Sequence, residues 1–295
     1  MKILDVLAET VRKEIKEEGI KYGQFQEIRL REGKQICVKC NGKYTFYNHI
    51  ISREEIKETL NYIANYSLYA YENELSQGFL TMEGGHRVGV SGKVIIENGK
   101  VKNFQYITGL NIRVSHEVKG CANVLFPYIL DNQKVVHTMI ISPPGCGKTT
   151  LLRDLVRQLS DGNKYLKGVP VSVVDERSEI AGCFLGVPQN DLGRQADVLD
   201  NCPKAEGMIM AIRSLSPKIL AVDEIGTPED VECISYVIHS GVSMLATVHG
   251  YSLEELKEKP LLKQLIHQKV FKRYILLGNR PGTIVGIYNE EGEMV

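Results

Sequence analysis

Gly145-Cys146-Gly147-Lys148-Thr149-Thr150, preceded by Ser142-Pro143-Pro144, sets two glycines, a lysine and two hydroxyls in six consecutive residues. That set suits the holding of a run of phosphates. Gly145 and Gly147 let the backbone wrap so that successive N–H groups face phosphate oxygens. The apolar run Val135–Ile141 before the loop reads as a buried strand, and Leu151–Leu155 after it as a helix whose N-terminus adds partial positive charge. In this P-loop reading, residues Pro144, Gly145, Cys146, Gly147, Lys148, Thr149 and Thr150 form the nucleotide cradle. Lys148 reaches the β- and γ-phosphates, and the Thr149 hydroxyl binds Mg²⁺. Ser142 stands where the GxxxxGK[ST] motif has its first glycine, a position that mainly shapes the turn.

Lys218-Ile219-Leu220-Ala221-Val222-Asp223-Glu224 supplies the matching carboxylates. A buried strand ending in Asp223 can hold the Mg²⁺, and Glu224 can orient or deprotonate a water. Adjacent strand residues point to opposite faces, so both acids serve one site only if the chain turns there. Together these residues point to Mg²⁺-dependent ATP hydrolysis rather than transfer to a small-molecule acceptor. No Asn-Lys-x-Asp guanine-reading sequence occurs, which favours ATP over GTP, and no Leu-Ser-Gly-Gly-Gln signature of transporter ATPases occurs. Two further strand ends should lie beside the site, Val173-Val174-Asp175-Glu176-Arg177-Ser178-Glu179 and Ala246-Thr247-Val248-His249-Gly250.

The elements that must position these groups divide the chain. Apolar runs at 135–141, 169–174, 219–222 and 243–248, separated by helix-length segments, indicate a mostly parallel α/β sheet covered on both faces. Residues 1–134 read differently, as a smaller α+β domain. Its strands fall around a hairpin signal at Asn41-Gly42, and a capping box, Ser52 with Glu55, opens a helix to about Asn65. Further strand-like pieces follow at Gly78–Met82, Arg87–Ile96 and Val101–Val114. At the N-terminus Ile3, Leu4, Leu7, Val11 and Ile15 share one helical face, expected to pack on its own domain. The expected boundary lies near Gln133, giving domains 1–134 and 135–295.

Composition supplies the exclusions. Of 295 residues, 43% are hydrophobic, and 36 basic side chains balance 36 acidic ones. The halves carry +3 and −3, which speaks against a generally basic nucleic-acid coat. No apolar run approaches a membrane span, and the charged N-terminus is no signal peptide. Seven scattered cysteines suit a reducing cytoplasm, and the single Cys37–Cys40 pair lacks the second pair a zinc site needs.

The acidic box Asp175–Glu179, Asp223-Glu224-Ile225-Gly226 and Thr247-x-His249-Gly250, in that order after a P-loop, resemble the secretion-superfamily ATPases. Those are the motors of type II and type IV secretion and of pilus retraction. The resemblance covers residues 135–277, including Phe271-Lys272-Arg273-Tyr274-Ile275-Leu276, and extends more weakly to Glu27-Ile28-Arg29-Leu30 and Arg87-Val88-Gly89-Val90. Ile180-Ala181-Gly182, Asp197-Val198-Leu199-Asp200-x-Cys202-Pro203-Lys204 and Ile212-Arg213-Ser214-x-Ser216-Pro217 are similar to a branch of the superfamily that serves endospore formation. The resemblance implies a RecA-like P-loop ATPase domain and a two-domain subunit assembling into a ring, expected to be hexameric, with ATP between subunits. It implies partners in a secretion-like membrane complex around the forespore, served from the mother-cell cytoplasm. By the same resemblance Glu176 or Glu179 assists the nucleotide site, His249 is the family's histidine, and Arg87 and Arg113 are the arginines expected to approach the phosphates. The competing reading is a nucleic-acid-dependent ATPase on the same core. A non-hydrolysing scaffold is disfavoured by intact Lys148, Asp223 and Glu224, and a small-molecule kinase by the lack of any recognisable acceptor pocket.

Overall fold

In a computed structural model of the chain, residues 3–17 and 24–295 are described. The contacts divide into two units, Met1–His116 with Gly182–Gln189, and Glu117–Ala181 with Asn190–Val295.

The first unit is built on an antiparallel sheet. Its strands are β1 (Phe25–Arg31), β2 (Gln35–Cys40), β3 (Lys43–Ile50), β4 (Phe79–Met82), β5 (His86–Glu97) and β6 (Lys100–Arg113), in the order β3-β2-β1-β6-β5-β4. Asn41 and Gly42 join β2 to β3 with φ of 48° and 80°, the paired positive values of a tight hairpin turn. Ile28, Leu30, Ile36, Val38, Val88 and Leu110 bury one face of the sheet. Against it pack α1 (Glu9–Glu17), α2 (Arg53–Ile63) and α3 (Glu72–Ser76) through Val11, Ile15, Ile56, Leu60 and Leu75. The apolar N-terminal stripe thus lies in its own unit's core, but not on one continuous helix. A short 3₁₀ turn at Ile3–Val6 precedes α1, and at the break the Ala8 N–H donates to Thr59 Oγ1 (3.0 Å).

The second unit carries α4 (Phe126–Ile129), the two-residue strands β7 (Leu130–Asp131) and β8 (Lys134–Val135), and a larger sheet. That sheet comprises β9 (Thr138–Ser142), β10 (Val171–Asp175), β11 (Ala196–Asp200), β12 (Ile219–Val222), β13 (Ser243–His249), β14 (Arg273–Leu277) and β15 (Ile284–Tyr288). Their order is β11-β10-β12-β13-β9-β14-β15, parallel except for the β14–β15 edge. The helices between them are α5 (Lys148–Asp161), α6 (Lys204–Leu215), α7 (Pro228–His239), α8 (Leu253–Glu258) and α9 (Pro260–His267). Strands β9, β10 and β12 are buried throughout, which explains why they read as unbroken apolar runs. Strand β15 was not legible in the sequence; it pairs antiparallel with β14 at the sheet edge.

The division falls at His116–Glu117 rather than near Gln133. Residues 117–134 are drawn into the second unit, where the Ala122 N–H donates to Asp154 Oδ2 (2.9 Å) and Phe126 stacks on Tyr165 (6.0 Å between centroids). Conversely, Gly182–Gln189 leaves the P-loop half of the sequence and joins the first unit, where Phe184 packs on the core and Gln189 Oε1 accepts the Gly84 N–H (3.0 Å).

Helix α2 starts as its sequence requires: Ser52 Oγ accepts the Glu55 N–H, and the Glu55 carboxylate accepts the Ser52 N–H. Ser52→Ala should cost about 1 kcal/mol, read as a lower urea midpoint, whereas an unchanged midpoint would show the cap idle.

Candidate active site

Strand order builds this site. With β13 lying between β12 and β9, residue 247 sits beside both Asp223 and the strand that feeds the P-loop. Lys148 Nζ stands 2.9 Å from Asp223 Oδ1 and 3.3 Å from Glu224 Oε2. The Thr149 hydroxyl donates to Asp223 Oδ2 (2.6 Å). The Thr247 hydroxyl donates to Asp223 Oδ1 and accepts the Glu224 N–H (2.9 Å). Burial works to raise the Asp223 pKa, but the Lys148 charge and the Thr149 and Thr247 hydroxyls hold it below the usual carboxylate value.

Two adjacent acids converge because the chain turns between them. Glu224 adopts φ 56°, a left-handed conformation uncommon for a residue with a side chain, so its carboxylate swings back to Lys148. His249 Nε2 lies 3.3 Å from the same Glu224 Oε2, and Lys259 Nζ donates to the His249 carbonyl (2.7 Å). In the loop, Gly145 and Gly147 have φ of 73° and 97°, and Gly147 caps α5. Ser142 is fully buried; its hydroxyl donates to the Pro143 carbonyl (2.8 Å) and its own carbonyl accepts the Gly250 N–H (3.2 Å). This position thus belongs to the end of β9, where a serine fits.

The acidic box splits into separate tasks. Asp175, buried at the end of β10, accepts the N–H groups of Glu179, Ile180 and Ala181 at 2.8–3.0 Å. Arg153 on α5 grips the same loop, donating to the carbonyls of Ile180 (2.7 Å) and Glu179 (2.8 Å). Burial, followed by nearby Asp200 and Asp223, pushes the Asp175 carboxyl up to about 6 despite its amide donors. Glu176 pairs with the buried Lys204 ammonium, which lies 3.9 Å from Asp230 Oδ2. A cavity of about 260 Å³ is lined by Asp175, Glu176, Glu179, Lys204, Asp223 and Glu224. Both candidate glutamates of the box therefore face the cavity that the P-loop partners face.

Arg87 and Arg113 lie in the first unit, as direct cross-strand partners on β5 and β6, with the Arg87 guanidinium 3.8 Å from the Phe79 ring centroid. Sequence reasoning missed the bridging part of Thr247, the Lys204–Glu176 pair and the Arg153 grip. Thr247 alone carried a usable signal, a hydroxyl two residues before His249 at a buried strand end.

The donor set accommodates Mg²⁺. Among the described residues no three His, Cys, Asp or Glu side chains form a metal-binding group. Thr149 Oγ1 with one Asp223 carboxylate instead matches a cation that keeps waters and takes its other ligands from phosphate.

The family model for sporulation stage III, protein AA, matches residues 1–295. Stage III sporulation protein AA of Bacillus subtilis (strain 168) is 42% identical over 296 aligned positions, covering 99% of this chain and 96% of that one. Among solved structures, the Legionella pneumophila ATPase DotB superposes with a TM-score of 0.58 at 17% identity, covering 85% of this chain and 72% of that one. The pilus retraction motor PilT, solved with bound ADP, gives a TM-score of 0.58 at 15% identity, covering 94% and 78%. The fold is thus that of the RecA-like secretion ATPases, a mostly parallel sheet domain with an antiparallel-sheet domain before it.

Asp175 yields a pH prediction. Its proton is held more tightly in the folded chain than in the unfolded one, so its contribution to stability is full below about pH 4 and fades as pH rises to about 6. The stability difference between the parent and Asp175→Asn, from urea melts, should shrink across that window and level off above it. A difference that stays constant from pH 4 to 6 contradicts the assignment.

Proposed function

Because the chain belongs to the sporulation stage III, protein AA family, we propose that it is an Mg²⁺-dependent ATPase acting as an oligomeric ring motor, which energises a secretion-like membrane complex during endospore formation. The observation that carries this reading is the convergence of Lys148, Thr149, Asp223 and Glu224 within 2.6–3.3 Å beyond the carboxyl ends of β9 and β12, the two strands that flank β13.

Lys148 exchanges its carboxylate partners for the β- and γ-phosphates of ATP. Thr149 and Asp223 would hold Mg²⁺, which when bound neutralises charge on the phosphate oxygens. Glu224, with His249 on its carboxylate, positions the attacking water and takes its proton. Glu176 and Glu179, at the cavity wall, act on the same nucleotide. Arg87 and Arg113 of a neighbouring copy approach the phosphates, a contribution of roughly 10³-fold or more in comparable NTPases. No described helix is long and apolar enough to cross a membrane; the resemblance to secretion ATPases assigns the chain to the cytoplasm, peripheral to membrane proteins of that complex on the mother-cell side of the forespore membrane.

A nucleic-acid-dependent ATPase is the second reading. One observation favours it: Lys39, Arg113 and Arg87 fall in one cross-strand row through Glu27, and the Lys39 ammonium lies over the half-exposed Tyr44 ring (5.3 Å).

Glu224→Gln should retain ATP affinity and lose at least about 10²-fold in kcat, while Lys148→Ala should lose both binding and turnover. Hydrolysis by Glu224→Gln at the parent rate would remove its assigned role. Stimulation of turnover by single- or double-stranded nucleic acid at moderate salt would favour the second reading.

A further inference from the structure

Beyond the motif residues, the segment between β14 and β15 touches the P-loop. Between β14 and β15 the chain reads Gly278-Asn279-Arg280-Pro281-Gly282-Thr283. The Thr283 N–H donates to the Arg280 carbonyl (3.1 Å), and Gly282 has φ 75°. With proline second and glycine third, this is the pattern of a type II turn. Such a turn leaves the N–H of its third residue outside its own hydrogen bond. Here that N–H, of Gly282, donates to the Cys146 carbonyl of the P-loop (3.1 Å). The approach is close: a Cβ on Gly147 would lie 3.2 Å from Gly282 N. Gly147 is therefore bound to glycine twice, by its φ of 97° and by the turn.

The consequence follows from peptide geometry. Cys146 C=O and Gly147 N–H belong to one planar trans peptide and point in opposite directions. Holding the carbonyl against the turn directs the N–H away from it. We propose that the Arg280–Thr283 turn is a strut of the phosphate cradle, in which the Gly282 N–H fixes the Cys146–Gly147 peptide so that Gly147 N–H faces a bound di- or triphosphate. The inference rests on the nucleotide reading above and assigns to Gly282 a positioning role without contact to the ligand. Because it acts on ground-state binding, it concerns ADP and pyrophosphate as much as ATP.

The test removes one hydrogen. The chain is assembled by ligation at Cys233, with Gly282 retained, replaced by glycolate (the N–H becomes an ester oxygen), or replaced by D-alanine. D-alanine keeps the N–H and suits the positive φ. Dissociation constants for ADP and pyrophosphate are measured beside the nucleotide-free unfolding midpoint, with Lys148→Ala as the reference for a lost site. The glycolate chain should bind both ligands about fivefold or more weakly, and the D-alanine chain as the parent does. A lower midpoint with unchanged dissociation constants would show a merely structural turn and overturn the proposal. Absence of Lys148-dependent ADP binding in the parent would instead remove the nucleotide reading itself, and the strut with it.

Discussion

A buried ammonium must have partners, and the second unit is arranged around that of Lys148. Its residue is only 7% exposed, so an unpaired charge there would carry a large desolvation penalty. Asp223 and Glu224 meet the requirement without ligand, and each is held by something else. Thr149 and Thr247 fix the Asp223 oxygens, while the left-handed turn at Glu224 returns a second carboxylate to the same nitrogen. The order β12-β13-β9 underlies this arrangement, since β13 presents Thr247 to Asp223 on one side and lies against the strand that feeds the P-loop on the other. The Lys148 ammonium is thus paired within the chain itself.

The same economy extends outward. Asp175 and Arg153 hold the acidic-box loop from its two sides, one through amides and the other through carbonyls. From the end of that loop the chain departs at Gly182 to join the first unit, and it returns at Asn190, whose N–H donates to the Ala181 carbonyl (3.0 Å). One short segment therefore connects the cavity wall bearing Glu176 and Glu179 with residues belonging to the other unit.

Much of this was legible because it is local. The glycine spacing of the P-loop, the Ser52–Glu55 box and Asn41-Gly42 each dictate backbone shape within a few residues, and the unbroken apolar runs report strands buried on both faces. The carboxylates at strand ends were legible for the same reason. What escaped depends on strand order and long-range packing. Lys204 and Glu176 are 28 positions apart, and nothing in either neighbourhood announces the pair. The excursion 182–189 and the shift of 117–134 into the second unit arise from side chains finding partners far along the chain. The Pro281-Gly282 turn went unread in the sequence, and nothing local announces Cys146 as its neighbour.

The central claim is that Asp223 serves two cations in succession, the Lys148 ammonium before nucleotide and Mg²⁺ with it. Titration of ATP with and without Mg²⁺, on the parent and on Asp223→Asn, addresses that claim directly. The parent should bind ATP more tightly when Mg²⁺ is present. In Asp223→Asn, where the Lys148–Asp223 pair and the metal carboxylate are both lost, affinity should be nearly independent of Mg²⁺. Undiminished dependence on Mg²⁺ in Asp223→Asn would contradict the account.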